Sequence, residues 1–171
     1  MEKLRIPCIA RCTEGYFERG DFWFLDEYTL VVGLVQRTDQ AGFYSIVSQL
    51  EKLGYILIPV PCPQDNLHLD MCFNIAAEKV AVVCPEALPE PFLQNLKKRK
   101  FILIEVSQAD VFHHHCNIQA LGNGKVLSFH NNKMVNRQLS ALGLDIVTVD
   151  LYEMLKCGGG PHCMTFPLKR A

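Results

Sequence analysis

The chain has 171 residues, of which 49% are hydrophobic and 20% are charged. This length fits one domain of about 100–200 residues, and the apolar fraction excludes a chain that is disordered throughout. Seventeen Lys and Arg against eighteen Asp and Glu give a net charge of −1. That balance lacks the basic signature of proteins that bind nucleic acids or anionic membrane surfaces, so we expect neither partner.

The sequence also lacks targeting and membrane signals. No apolar run approaches the roughly 18 residues of a transmembrane helix, and residues 1–7 lack the apolar core of a secretory signal. The eight cysteines contain no C-x-x-C pair, which favours reduced thiols. We therefore expect a cytoplasmic protein in which most cysteines fill the core and at most one or two are chemically active.

An internal repeat of about 45 residues organises the chain. Three segments align without gaps, each predicted as a helix end, a stop signal and a short strand: 49–60, 95–106 and 138–149. Two predicted strands precede each helix: 21–25 with 28–32, 71–76 with 80–84, and 117–121 with 125–129. Each unit is thus predicted as strand–strand–helix–strand and must stack on its neighbours to bury its sheet. A single unrepeated α/β sandwich is the alternative.

Both ends of the predicted helices carry capping signals. Thr38 or Asp39 is the expected N-cap of the first helix, which leaves Arg37 available to bind an anion. Gly54 and Gly143 suit the left-handed C-cap of the first and third helices.

Polar residues enter successive units at equivalent positions. Glu18 to Asp21 lead into the first predicted strand as His68 to Asp70 lead into the fourth, and Asp21 and Asp70 are 49 positions apart. This placement predicts polar groups at one end of successive modules. If His68 and Asp70 lie on a strand, they share a face, which suggests a general acid–base beside a cation-binding carboxylate. A histidine that is only hydrogen-bonded at a strand end is the alternative.

The tail contains three consecutive glycines, Gly158 to Gly160, followed by Cys163. Glycines permit unusual dihedral angles and close backbone approach, so the loop could present Cys163 to a ligand with amide N–H groups facing the same point. The alternative is a flexible exit loop with an incidental thiol.

Two other clusters are predicted to be structural. We interpret His113 to His115 as an exposed junction, because three consecutive imidazoles on a strand cannot face one metal ion. The basic run from Lys97 to Lys100 is expected to be the solvated end of a helix. No phosphate-binding glycine pattern occurs, and we predict neither a metal nor a cofactor.

Taken together, the motifs resemble those of the guanidino-group-modifying superfamily, which includes arginine deiminases, dimethylargininases and amidinotransferases. The resemblance rests on four segments in order: Glu18-x-Gly20-Asp21, Arg37-Thr38-Asp39, His68-Leu69-Asp70 and Gly158 to Thr165. It implies an α/β-propeller (pentein-like) fold of five ββαβ modules around a central site. About three of the five are present here.

The resemblance also implies roles for six residues. Cys163 would be the nucleophile that attacks the guanidino carbon, and His68, assisted by Glu18, would protonate the leaving amine and activate water. The substrate-binding residues would be Asp70 and Asp21, together with Arg37 for the carboxylate of an amino-acid substrate.

The sequence therefore predicts one α/β-propeller domain over 1–171, N-terminally incomplete relative to the family. Its expected parts are modules at 18–60, 66–106 and 114–149 and a closing segment at 150–171. The expected function is cysteine-dependent hydrolysis of a guanidino or amidino compound such as arginine or methylated arginine. An amidinotransferase is one alternative. A non-catalytic binding protein is another, suggested by Arg19 at a family glycine position and by the module count. Exposed module edges predict a homo-oligomer, with contacts near 1–14 and from Lys156 onward.

Overall fold

The computed structural model describes residues 6–63 and 66–166. The chain divides into two compact units, residues 1–68 and 69–171. The first holds one three-stranded sheet and the second holds two.

The first unit contains one ββαβ module. Its elements are β1 (Phe22–Phe24), β2 (Thr29–Leu34), α1 (Gln40–Leu50) and β3 (Ile56–Pro61). Strand β2 lies in the centre of the sheet, antiparallel to β1 and parallel to β3. Leu30 of β2 packs against Ile46 and Leu50 of α1, because the apolar face of the helix covers the sheet. Asp39 is the N-cap of α1 and accepts a hydrogen bond from the amide of Gly42 at 2.7 Å.

The second unit repeats the module twice. Its first module comprises β4 (Phe73–Ala77), β5 (Val80–Val83), α2 (Glu90–Lys98) and β6 (Ile102–Glu105). Its second comprises β7 (Gln119–Gly122), β8 (Lys125–Phe129), α4 (Lys133–Ala141) and β9 (Asp145–Val149). In both sheets the middle strand is antiparallel to the strand before it and parallel to the strand after it. Two short helices lie outside the modules, α3 (Gln108–Phe112) and α5 (Tyr152–Leu155).

Within the second unit the two modules are joined by buried contacts. Asn74 of β4 donates a hydrogen bond to the carbonyl of Ile118, just before β7, at 2.7 Å. Both residues are almost fully buried. A buried amide must find such a partner, so this bond fixes the spacing of the two sheets.

Each module ends its helix in left-handed backbone. Gly54 and Gly143 have φ of 86° and 84°, which confirms them as the predicted helix-terminating glycines. In the middle module Lys100 takes this conformation with φ of 62°, at a cost of about 1–2 kcal/mol for a residue with a Cβ.

The predicted strand–strand–helix–strand pattern is confirmed in all three sheets, and with it the α/β class. Helices α3 and α5 were not predicted. The single-domain organisation and the homo-oligomer remain predictions; part of the expected contact surface, residues 1–5 and 167–171, lies outside the described residues. Among the residues described, no helix is long and apolar enough to cross a membrane.

Candidate active site

The glycine-rich loop after α5 places the Sγ atom of Cys163 beside two buried side chains of the second unit, while the residue as a whole is exposed. Gly158 adopts left-handed backbone with φ of 85°. Gly160 lies so close to Asn117 that an added Cβ would come within 2.7 Å of its Oδ1. The loop therefore needs glycine at 160 for close packing, as expected from the glycine run.

Asn117 binds the loop through both ends of its side-chain amide. Its Oδ1 accepts hydrogen bonds from the backbone N–H groups of His162, at 3.0 Å, and Cys163, at 3.2 Å. Its Nδ2 donates to Cys163 Sγ at 3.0 Å. The expectation that amides around Cys163 face a ligand is therefore wrong for these two N–H groups, because Asn117 already occupies them.

Asp70 is the second side chain at the thiol. It lies in the short 3₁₀ turn Leu69–Met71, before β4, and is only 1% exposed. Its Oδ2 accepts hydrogen bonds from His162 Nδ1 at 2.8 Å and from Cys163 Sγ at 3.2 Å. Its other oxygen, Oδ1, is buried without a hydrogen-bond partner among the described residues.

These surroundings raise the pKa of the Cys163 thiol to about 11. Desolvation is the largest cause, followed by the negative charge of Asp70 and the hydrogen bond to it, and all three disfavour the thiolate. Hydrogen bonds from the Gly160 loop backbone and from Asn117 act in the opposite direction. In this state Cys163 is a protonated thiol at neutral pH.

A separate group of polar residues lies in the first unit. His68 Nε2 is 2.7 Å from Glu18 Oε2, and Arg37 Nε is 3.5 Å from Glu18 Oε1. Glu18 thus contacts both an imidazole and a guanidinium, while about half of the Arg37 side chain is exposed.

Asp21 is connected to Glu18 by hydrogen bonds through Thr38. Thr38 Oγ1 donates to Asp21 Oδ2 at 2.6 Å and accepts from the backbone N–H of Glu18 at 3.0 Å. Asp21 and Thr38 are both fully buried. These hydrogen bonds connect Asp21 through Thr38 to the Glu18 backbone, and its contact with substrate remains a prediction.

The strand geometry that was expected for His68 and Asp70 is wrong. Residues 69–71 form a 3₁₀ turn, so the period-two argument does not apply to this segment. The partner of His68 in the first unit is Glu18, as the resemblance implies.

Gly20 provides the first testable consequence of this packing. An added Cβ would lie 2.7 Å from His68 Cγ and 2.9 Å from its Cβ, atoms too near the backbone to swing away. We expect Gly20→Ala to separate His68 from Glu18 and to lower the free energy of unfolding by about 1–3 kcal/mol. Urea unfolding measures this. The matched control is Gly159→Ala, whose Cβ would meet only Cys163 Cβ at 3.5 Å; an equal loss in both variants would contradict the steric argument.

The histidine run differs from its prediction. His114 is buried, has left-handed backbone with φ of 61°, and burial lowers its pKa. The run follows helix α3 rather than a strand, and His115 lies 3.0 Å from Asp110. The exposed-junction interpretation is therefore wrong for His114. Across the part of the chain that the structure describes, no three potential ligands cluster to hold a metal ion.

Asn117 and His162 were not predicted as site residues. Asn117 follows Asp70 by 47 positions, nearly the interval from Asp21 to Asp70, and all three residues precede the first strand of a module. Extending the repeat comparison by one module would have identified Asn117. His162 lay inside a recognised motif, but only the structure shows that its ring binds Asp70.

Comparison with known proteins identifies the family. The family described as "N,N dimethylarginine dimethylhydrolase, eukaryotic" matches residues 10–170, and the chain belongs to it. An uncharacterised protein of Bacillus subtilis, YkgA, is 35% identical over 163 residues, which cover 94% of this chain and 55% of YkgA. An arginine deiminase of Borrelia garinii is 24% identical over 197 residues, covering 94% of this chain and 48% of the deiminase.

Solved structures share the fold. A DDAH from Pseudomonas aeruginosa, a cysteine-to-serine mutant complexed with citrulline, matches with a TM-score of 0.73 and 22% identity over 89% of this chain and 56% of that chain. SxtG, an amidinotransferase from Microseira wollei, matches with a TM-score of 0.78 and 17% identity over 92% of this chain and 49% of that chain. The ββαβ modules are thus those of the pentein-like α/β-propeller fold. The chain spans about half the length of the relatives that it matches.

Proposed function

We propose that this chain carries the chemistry of a cysteine-dependent hydrolase that cleaves a C–N bond of a guanidino compound through a covalent thiouronium intermediate. The observation that carries the proposal is the buried carboxylate of Asp70 beside the Cys163 thiol, with Oδ2 at 3.2 Å from Sγ. A carboxylate in this position opposes thiolate formation unless a cation joins it.

A guanidinium ion supplies such a cation. Its planar N–H groups match the geometry of a carboxylate, and charge-assisted hydrogen bonds of this kind are among the stronger ones in proteins. Asp70 Oδ1 is a buried acceptor to which the structure gives no hydrogen bond within the described residues, and an acceptor of this kind is costly until it is paired. A bound guanidinium would satisfy it.

The same cation would activate the nucleophile. The thiol pKa of about 11 is raised largely by desolvation and by Asp70. A positive charge beside Asp70 offsets the part of the pKa increase that comes from the Asp70 charge. Binding of a cationic substrate therefore favours the thiolate form of Cys163. Water and other neutral molecules leave Cys163 protonated.

The backbone around Cys163 also favours an amidinium over a carbonyl substrate. Acyl transfer by a cysteine uses N–H donors that stabilise an oxyanion. Here the amides of His162 and Cys163 are bonded to Asn117 Oδ1. Attack on a cationic guanidino carbon yields a neutral adduct and requires no such stabilisation from these amides.

Proton transfer is proposed for the Glu18–His68 pair of the first unit. When the cationic substrate binds, the Cys163 thiol releases its proton to solvent. In the first half of the reaction the thiolate Sγ forms a bond to the guanidino carbon, the C–N bond breaks, and the amine leaves with a proton from the imidazolium of His68. In the second half His68 takes a proton from water, which attacks the thiouronium carbon. The C–S bond then breaks, releasing the ureido product and the thiol. The contact with Glu18 at 2.7 Å holds the His68 ring in one orientation for both proton transfers.

The names of similar proteins support this proposal. They include arginine deiminases, a DDAH complexed with citrulline, and the N-terminal domain of ArgZ, an arginine dihydrolase, covalently bound to a reaction intermediate. For Arg37 we retain the role of binding a substrate carboxylate, which suits its exposed side chain.

The test is turnover combined with trapping. Purified chain is incubated with arginine, methylated arginine and agmatine; ureido product is measured and Cys163 is examined by mass spectrometry for an adduct. We expect a ureido product from at least one compound, with an adduct on Cys163 and none on Cys157, an exposed cysteine of the same tail. Absence of both product and adduct would favour the non-catalytic alternative, and transfer of the amidino group to an added amine would favour the transferase.

A further inference from the structure

We propose that Asn117 is a positioning residue for Cys163, fixing the thiol in place and donating a hydrogen bond to the thiolate when it forms. This inference rests on the proposed function, because it gives the nucleophile of that reaction a second partner besides Asp70.

The geometry assigns both tasks to one side chain. Oδ1 accepts hydrogen bonds from two consecutive backbone N–H groups, those of His162 and Cys163, and so fixes the backbone that carries Sγ. Nδ2 points to Sγ itself at 3.0 Å. Asn117 is fully buried, so the amide cannot exchange these partners for solvent without local unfolding.

The chemistry of the side-chain amide explains why the third module has Asn117 where the other two modules have an aspartate. Asp21 and Asp70 precede the first strands of their modules, and Asn117 holds the corresponding position before β7. A carboxylate here would face Sγ with a second negative charge and would have no proton to donate. An amide of nearly the same shape offers an acceptor toward the loop and a donor toward sulfur.

Asn117 and Asp70 therefore act on Cys163 in opposite directions. Asp70 accepts from the thiol and favours its protonated form, whereas Asn117 donates and favours the thiolate. With the charge of Asp70 neutralised by a cationic substrate, the hydrogen bond from Asn117 remains and stabilises the reactive form. The two side chains together make reactivity depend on the substrate cation.

The decisive variant is Asn117→Asp, which keeps the acceptor toward the loop and replaces only the donor toward sulfur. The readout is the pH profile of Cys163 alkylation by iodoacetamide, resolved from the other seven cysteines by peptide mass spectrometry. We expect the profile to move to higher pH by about one unit or more, which makes alkylation near pH 8 about tenfold slower. Asn117→Ala, which is neutral and lacks both contacts, should also move the profile upward.

The matched control is Asn132→Asp. Asn132 is fully buried in the same unit and donates through Nδ2 to the carbonyl of His115 at 3.0 Å, and not to Cys163. It undergoes the same chemical change at equal burial, so we expect a comparable loss of thermal stability with an unchanged Cys163 profile. Circular dichroism establishes that each variant is folded, and if Asn117→Asp does not fold, Asn117→Ala decides.

The outcomes separate this proposal from the proposed function. An unchanged Cys163 profile in folded Asn117→Asp or Asn117→Ala would overturn the role of Asn117, whatever the turnover. A profile that moves equally in Asn132→Asp would overturn it as well, because the effect would then reflect general loosening. A shift specific to Asn117 in a chain that turns over no guanidino compound would support the placement of Asn117 and count against the hydrolase instead.

Discussion

Replacing Cys163 with serine should lower turnover of a guanidino substrate by roughly a thousandfold or more, because a serine hydroxyl is a far weaker nucleophile without an adjacent base. The group next to it would be Asp70, whose carboxylate is expected to be occupied by the substrate cation. Cys163 is exposed as a residue, and a serine hydroxyl can keep the hydrogen bonds that Sγ makes with Asp70 and Asn117, so the free energy of unfolding should change by about 1 kcal/mol or less. Steady-state turnover and urea unfolding measure the two quantities.

The matched control for this variant is Cys157→Ser. Cys157 is also exposed and lies six positions earlier in the same tail, with no role in the proposed reaction. We expect parental turnover from it. Substantial turnover by Cys163→Ser would exclude covalent catalysis through this residue, and equal loss in both variants would show that the tail tolerates no substitution.

Asp70→Asn should change two rates in opposite directions. Removing the carboxylate charge lowers the pKa of the Cys163 thiol, since Asp70 raises it both through its charge and through its hydrogen bond. Alkylation by neutral iodoacetamide near pH 8 should therefore become several-fold faster. Turnover of a guanidinium substrate should fall by roughly a hundredfold or more, because the cation loses its buried partner.

A cationic alkylating reagent tests directly whether Asp70 binds a cation beside Cys163. 2-Chloroacetamidine carries the amidinium group that Asp70 is proposed to bind, so it should label parental Cys163 in preference to iodoacetamide and lose that preference in Asp70→Asn. Asp110→Asn is the control, since Asp110 lies 3.0 Å from His115 but contacts neither Cys163 nor Asp70 in the hydrogen bonds described. If both reagents slowed equally in Asp70→Asn, Asp70 would support the loop rather than bind a cation.

The module architecture could be predicted from the sequence because its signals are local. Short runs of β-branched residues, the N-cap at Asp39 and the helix-ending glycines Gly54 and Gly143 all act within a few residues. Helix α3 was not predicted because five residues are too few to show a helical repeat of apolar positions. The five-residue helix Gln108–Phe112 starts with a capping box formed by Ser107 and Asp110, which is easily overlooked beside a histidine run.

The candidate site was predictable only in part. Glu18, His68, Asp70 and Cys163 were found through the motifs of a family, whereas Asn117 belongs to none of the quoted motifs. The repeat interval marks its position before β7, but its bonds to residues 162 and 163 span 45 and 46 positions, and no local periodicity encodes a contact of that length. The hydrogen bond from Thr38 to the buried Asp21 could not be predicted either, because a carboxylate in a motif looks the same in sequence whether it contacts substrate or a neighbouring side chain.

The residues that contact Cys163 lie far from it in the sequence, which affects the order in which parts of the protein fold. Each three-stranded sheet closes within one short stretch of chain, residues 22–61, 73–105 and 119–149. The contact between Cys163 and Asp70 joins positions 93 residues apart. Short-range contacts cost less chain entropy and form sooner than long-range ones. The sheets should thus be in place before the thiol reaches its carboxylate, which makes the slow alkylation of Cys163 a probe of the last step of folding.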